Sequence, residues 1–401
     1  MKYSQNGAYI LKKLEVMFDG EDDVAYNLIP LYLDISIYES MFSVGISGNV
    51  TIMDTNSIYN EKFLGNGETI TITYETTGSD KEISITGVVY KCSPPTRVNE
   101  HTSGLILYFC SEEVINDKRA RVRKSYKDVC SSIVEDLHKD ISSKKLITIP
   151  TKEINHFVGA NQHPVDVIAY LARRSMSTTN EGGYLYFENN KQFCFLPIEY
   201  LYKQEPIAEY KYKNAGIYED VDKKEEESFS SIQDYSIIAV PNFMEQIGDG
   251  VLGSRSTNLN LLEKNFYDST YNNIDEFSEA NSLAKIPNLN KSLVNGLNND
   301  KRYTYVDDFQ KPLQAFRLKN INILMNTQRY AAKITIWGDT NNIVGSIIKC
   351  FLPVWGTNSG KGEVPDPYSG KFLITEIKHT LKRNQYTQTM KLVKDAFEVG
   401  K

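Results

Sequence analysis

The 401-residue sequence holds no CxxC pair, no HExxH, no GxSxG and no run near the roughly 18 apolar residues that a membrane helix needs. Each absence removes a class of protein. Five cysteines (Cys92, Cys110, Cys130, Cys194, Cys350), odd in number and widely spaced, read as buried reduced thiols rather than a disulfide framework. The five histidines (His101, His138, His156, His163, His379) lie far apart and form no metal-ligand spacing, so no metal and no cofactor is expected. GTNSGKGE at 356–363 falls short of a phosphate loop, because three residues rather than four separate Gly356 from Gly360 and glycine follows Lys361. It reads as a surface turn. The start, MKYSQNGAYILKKLEV, lacks the apolar core of a signal peptide, and the protein is expected to be soluble and made in a reducing cytoplasm. Net charge is −6, which argues against a general nucleic-acid binder. Carboxylates abound but nothing marks a catalytic pair, so no enzyme is expected.

What is present is β-forming and rich in tyrosine, with 26 copies that favour strands and broad contact surfaces. Residues 45–54 read GISGNVTIMD and residues 69–75 read TITITYE, with a Gly65-Asn66-Gly67 turn between them. Read as a hairpin, one face carries Ile46, Val50, Ile52, Ile70, Ile72 and Tyr74, enough to build a core. The other carries Ser47, Asn49, Thr51, Thr69, Thr71 and Thr73, polar and almost free of charge. A strand face in bulk water normally collects Lys and Glu.

Strand-like runs separated by turn signals fill residues 8–110 and argue an antiparallel barrel or sandwich. The basic run KRARVRKSYK at 118–127 follows, and fits an acidic protein partner better than a phosphate backbone. Ser125 with Asp128 suggests a capping box opening a helix with Val129, Ile133, Val134 and Leu137 as its apolar stripe. A second helix is expected after His163-Pro164, with Val165, Ile168, Leu171 and Ala172 on one side, then a hairpin turning at Asn189-Asn190. Residues 218–227 are acidic and solvated, and 248–302 read as a long irregular connection. An amphipathic helix from Asp307 places Phe309, Leu313, Phe316, Ile321 and Leu324 on its apolar face, and strands close the chain.

The last block repeats the first in order and length. NGETITITY corresponds to IVGSIIKCFLP, ISITGVVYKC to KFLITEIKHTL, and SGLILYFCSEE to YTQTMKLVKDA. The expected architecture is mainly β with an α+β part. Residues 1–112 form a first tube-like antiparallel barrel and 113–205 an inserted α+β domain. Residues 206–304 are an irregular connection including part of the second barrel, and 305–401 a helix plus that second tube-like barrel.

The stretch from Asp34 to Glu75 resembles the N-terminal signature of baseplate central hub proteins of contractile-tailed phages. A G-x-V-x-I-x-D strand precedes an L-x-G-x-E-x-I-x-I strand, here Leu64-Gly65 with Glu68, Ile70 and Ile72. KFLITEIKHTLKRNQYTQTMKL is similar to the family's closing hairpin, in which a histidine (His379 here) ends the first strand. The middle helix and YLYFE hairpin are placed as in that family and in the hub portion of type VI secretion spike proteins. The resemblance implies a homotrimeric ring of two tube-like barrels per chain, matching a sixfold tail tube to a threefold central spike. The spike is expected to be a separate chain, because little sequence follows the closing hairpin. Tail tube protein and other baseplate proteins are the remaining partners, with DNA only in transit. Ser47, Asn49, Thr51, Thr69, Thr71 and Thr73 are then expected to face the channel. The alternatives are a hub of a related contractile injection or secretion system, a cell-surface glycan-binding β-protein that stacks sugars on its tyrosines, and a hydrolase.

Overall fold

The structure is a computed structural model. It describes residues 7–18, 25–55, 64–76, 81–99, 102–212, 230–240, 242, 244, 253–260, 264–272, 282–283, 286–287, 311–352, 369–383 and 385–397. The 356–363 turn, the acidic 218–227 stretch, His101 and Phe309 lie outside the described residues.

The first barrel is built from β1 (Tyr9–Met17), β2 (Ala25–Asn27), β3 (Tyr32–Ser40), β4 (Ser47–Asp54), β5 (Thr69–Thr76), β6 (Glu82–Cys92), β7 (Thr96–Arg97) and β8 (Ser103–Cys110). The inserted domain holds α1 (Glu112–Arg119), β9 (Ser125–Val129), α2 (Cys130–Ile141), β10 (Leu146–Thr148), β11 (Ile154–Val158), α3 (Pro164–Ala172), β12 (Tyr184–Glu188), β13 (Phe193–Pro197) and α4 (Ile198–Leu201). Then come β14 (Glu209–Tyr212), β15 (Ser231–Ala239), β16 (Gly253–Asn260), β17 (Asn265–Asn272), β18 (Ile286–Pro287) and α5 (Lys311–Thr327). The chain ends with β19 (Tyr330–Trp337), β20 (Ile347–Phe351), β21 (Gly370–Lys382), β22 (Gln385–Lys394) and β23 (Ala396–Phe397).

One 14-stranded sheet runs through both barrels. In the second, β15-β19-β22-β21-β20-β14 forms a hydrogen-bonded ring, closed where β14 pairs with β15. In the first, the matching order is β3-β4-β8-β6-β5-β1. Here β1 and β3 do not pair as strands. The tip of the β21–β22 hairpin fills the gap: the Tyr9 hydroxyl donates to the Lys382 carbonyl at 2.7 Å, and Tyr386 N–H donates to the Gly7 carbonyl at 2.8 Å. Both barrels are antiparallel throughout except at β14, which runs parallel to β15 and β20. Eighteen residues separate β14 from β15 in sequence, enough for the crossover that parallel pairing needs.

The internal repeat is visible strand for strand. In chain order β1, β3, β4, β5, β6 and β8 occupy the positions of β14, β15, β19, β20, β21 and β22. Register irregularities repeat too: Val89/Lys91 in β6 matches Ile374/Glu376 in β21, and Tyr32/Asp34 in β3 matches Ile232/Asp234 in β15. A bulge is a positioned feature, so its recurrence is a stronger sign of duplication than alternating apolar residues. It also exposes a sequence match that pattern reading passes over: Asp34-Ile35-Ser36-Ile37 against Asp234-Tyr235-Ser236-Ile237.

Three hydrophobic clusters fill the interior. Strand alternation builds the first barrel's core, which includes Ile46, Val50, Ile52, Ile70, Ile72 and Tyr74 and takes in Leu381 and Tyr386 from the closing hairpin. The inserted domain packs α2 and α3 on β12 and β13 through Ile133, Val134, Leu137, Ile168, Leu171, Phe193 and Phe195. The second barrel and α5 share the third cluster.

Several local expectations give way. Ser125–Val129 is a strand, not a capping box, because its backbone groups are used in a ladder with Ile154–Val158; α2 starts at Cys130 with no side-chain cap. Helix α1 was not expected. The 248–302 stretch contains the β16–β17 hairpin. On α5, Phe316, Ile321 and Leu324 are only half-buried, while Leu318, Asn320, Ile323 and Thr327 are buried. A polar pin turns that helix. Asn320 Nδ2 donates to the carbonyls of Arg173 and Ser175 past the end of α3, and its Oδ1 accepts Gly183 N–H at 2.7 Å.

Candidate functional site

The two polar trios are not neighbours. β4 pairs with β3 and β8, and β5 with β1 and β6, so no β4–β5 hairpin exists. The connection from Thr55 to Glu68 is too long for a tight turn. Its glycine turn instead folds onto Glu68, whose carboxylate accepts Gly65 N–H at 2.9 Å and Asn66 N–H at 3.0 Å. Gly65 has φ +100°, and a Cβ there would meet the Cys92 nitrogen at 2.8 Å. Three inter-strand steps, about 14 Å along the sheet, separate β4 from β5. Both trios point away from the core. Ser47, Asn49 and Thr51 stand on the arc that joins the barrels, whereas Thr69, Thr71 and Thr73 stand on the far arc beside β6, with Thr73 hydroxyl-bonded to Ser84 at 3.0 Å.

The joining arc is one continuous surface. From β8 through β4, β3, β21, β22 and β19 the register aligns Tyr108, Asn49, Ser36, Thr380 and Thr387 in one row. The next row holds Ser47, Tyr38, Lys378, Thr389 and Thr335. A third carries Ser40, Glu376, Lys391 and Lys333. Lys391 pairs with Glu376 at 3.1 Å, and the Lys378 ammonium sits 5.5 Å from the Tyr38 ring centre. A groove of about 360 Å³ opens over these rows, lined by Tyr38, Ile238, Lys333, Glu376, Lys378 and Lys391. The face is hydroxyl-rich at its centre and mixed in charge at one margin.

Directly beneath lies a buried polar chain. Glu39 meets His379 Nε2 at 3.1 Å, and His379 Nδ1 meets the Tyr386 hydroxyl at 2.7 Å. Gln388 Nε2 donates to that hydroxyl at 2.9 Å, Asn342 Nδ2 donates to Gln388 Oε1 at 3.0 Å, and Tyr210 donates to Asn342 Oδ1 at 3.1 Å. Burial pushes the Tyr386 and Tyr210 hydroxyls well up, so both stay protonated donors. His379 lies within β21, three residues before its end. The signal was in the alternation: His379 falls between Ile377 and Leu381, and Gln388 between Tyr386 and Met390, on inward positions. The chain spans both cores and sets the relative register of the barrels.

A second polar cluster ties the first barrel to the inserted domain. Glu188 accepts Ile46 N–H at 3.0 Å and the Ser111 hydroxyl, and its other oxygen meets Lys144 at 2.6 Å; Lys144 also reaches Glu113 at 3.0 Å. Burial opposes charge on Lys144, but Glu188 and Glu113 outweigh it and hold its pKa above the ordinary lysine value. The basic run spans the end of α1 to β9 with its cations exposed, Arg123 donating to Asn161 at 2.8 Å. Cys110, Cys130, Cys194 and Cys350 are buried and Cys92 is half-buried, all as free thiols. Among the described residues no group of His, Cys, Asp and Glu could hold a metal. No described helix is long and apolar enough to cross a membrane. These are positioning networks at domain junctions.

No family model matches this chain, and no curated protein does. Solved structures do. The tail protein from Neisseria meningitidis MC58 superposes with a TM-score of 0.57 at 11% identity, over 97% of this chain and 97% of that one. The 43 kDa tail protein of prophage MuSo2 from Shewanella oneidensis gives 0.59 at 10% identity, over 96% and 100%. A component of the E. coli type VI secretion system gives 0.47 at 9% identity, over 98% and 79%. Two barrels of matching strand order, joined through a continuous sheet and carrying an α+β insertion, have the fold of phage tail proteins.

Proposed function

We propose that the chain is the structural hub of a contractile phage tail, a homotrimeric ring in the virion baseplate, and not an enzyme. Three chains present six equivalent barrels to a sixfold tail tube while keeping threefold symmetry for a central spike formed by a separate chain. The duplication supports this reading most directly, since a trimer of a duplicated barrel converts one symmetry into the other. The shared arc, with Ser47, Asn49, Thr51, Ser36, Thr380 and Thr387, forms the channel wall through which DNA passes. A hydroxyl-rich wall neither holds phosphates nor sticks to protein. Thr69, Thr71 and Thr73, on the far arc, face outward from the ring. The exposed basic run 118–127 docks acidic segments of other baseplate proteins.

The test has two parts. Negative-stain images of the purified chain should show threefold rings with a central hole; a monomer alone and with the tail's spike protein would sink the reading. Asn49→Lys with Thr51→Lys should leave assembly intact and slow genome delivery roughly several-fold, since each phosphate contact adds counterion-release affinity. Unchanged delivery would remove this arc from the channel. An injection system that carries no genome would share the ring and lack DNA in its particle.

A further inference from the structure

The two barrels share a strand order, yet among the described residues only one of two corresponding edges has a strand along it. Within the chain, residues 376–382 of β21 run antiparallel to β3, pairing Glu376 with Ser40 through Lys382 with Asp34. β15 is the counterpart of β3, and among the described residues it has a strand neighbour only on its β19 side from Asp234 onward. β6 is the counterpart of β21, and residues 91–97 are the stretch that corresponds to 376–382.

Exposure marks both as uncovered. Ile37 is fully buried, but its counterpart Ile237 is 40% exposed and the following Ile238 is 53% exposed. Thr375, at the β21 bulge, is fully buried, but its counterpart Tyr90 is 52% exposed. An apolar open edge invites strand addition. The two edges are the counterparts of β3 and β21, which pair with each other inside the chain.

We propose that a second copy of this chain fills the β15 edge: residues 91–97 of one copy lie antiparallel along residues 234–240 of the next. The inference rests on the ring reading above and adds the strands and the register that join its copies. The matched bulges fix that register at Ser93 against Ile238, as Lys378 lies against Tyr38 within the chain. Pro94 and Pro95 offer no N–H, so this ladder has fewer hydrogen bonds than the internal one. Burial of Tyr90, Ile237 and Ile238 supplies the remainder. Such a head-to-tail contact generates a closed ring or an open filament. The ring reading above requires this step to close at three copies.

The test uses the full chain in a Cys92→Ala background. Ser93→Cys with Ile238→Cys should give covalent dimers and trimers on oxidation, and a mixture of the two single variants should give dimers and nothing larger. Light scattering on the same samples separates the two ideas. A native mass of three chains without cross-linking overturns this pairing and leaves the ring standing. Covalent species growing without limit keep the pairing and overturn the closed ring. A native mass of one chain, both alone and with the tail's spike protein, overturns both. In the otherwise native chain, Ile238→Asp should reduce the mass from three chains to one with an unchanged far-UV spectrum; retention of the trimer by this folded variant also overturns the pairing.

Discussion

Tyr386 shows how much depends on single side chains where the barrels meet. Its ring packs edge-on to Tyr74 at 5.5 Å, and its hydroxyl joins the chain from Glu39 to Tyr210. Gly338 lies against that ring so closely that a Cβ would overlap it. Gly338→Ala should therefore cost about 1–3 kcal/mol of stability in denaturant unfolding. Glu39→Leu leaves His379 Nε2 without its buried hydrogen-bond partner, and should cost about 1–3 kcal/mol. Removing both partners should cost less than the sum of the single changes. Thiol reactivity reports the same packing. Burial pushes Cys92 up to about 11 and Cys194 up to about 12. A native chain should label slowly and only at Cys92, with the other four reacting after denaturation.

Elements here are held by polar pins as much as by apolar stripes. Helix α5 docks on the inserted domain through the fully buried Asn320, which holds Arg173, Ser175 and Gly183 together. Asn320→Leu leaves those backbone groups unpaired and should destabilise by about 2–3 kcal/mol, seen as lost protection of α5 in hydrogen exchange. At the end of β22, Asp395 accepts the Ser282 hydroxyl at 2.6 Å and Leu283 N–H at 3.1 Å. Its burial raises the carboxyl pKa above the ordinary 3.8 despite those donors. A carboxyl raised on folding contributes stability that is present in acid and lost as pH climbs from 3.8 through the folded value. Asp395→Asn removes that loss, so its melting temperature relative to the native chain should rise between pH 4 and pH 8. A flat difference across that range would put Asp395 in contact with solvent.

At the scale of the molecule, the β21–β22 hairpin belongs to both barrels. Its base pairs with β20 and β19, while its tip carries Leu381 and Tyr386 into the first core. Neither barrel can lose the hairpin alone. The amides of β3, β21 and β22 should exchange at one common slow rate, and a cut within the hairpin should expose both cores to protease. The same sharing makes the joining arc one surface, so the proposed channel wall would cross from barrel to barrel without a seam.

Alternation by itself placed Ile46, Val50, Ile52, Ile70, Ile72 and Tyr74 in a core, because side-chain direction in a strand follows from backbone geometry alone. Helices α2 and α3 were legible for the same kind of reason, and the duplicated strand order was legible in the matched runs. Pairing was not. Whether Thr71 lies beside Thr51 or three strands away depends on which edges meet, and long-range pairing leaves no mark in a period of two. The same limit made Ser125–Val129 look like the start of a helix until β11 took up its backbone, and hid Asn320 from a reading of apolar stripes. The candidate channel face divides along this line. Sequence determined that Ser47, Asn49 and Thr51 point away from a core. Only the tertiary structure decided that they share a wall with Ser36, Thr380 and Thr387, because that wall exists through one hairpin hydrogen-bonded to both barrels.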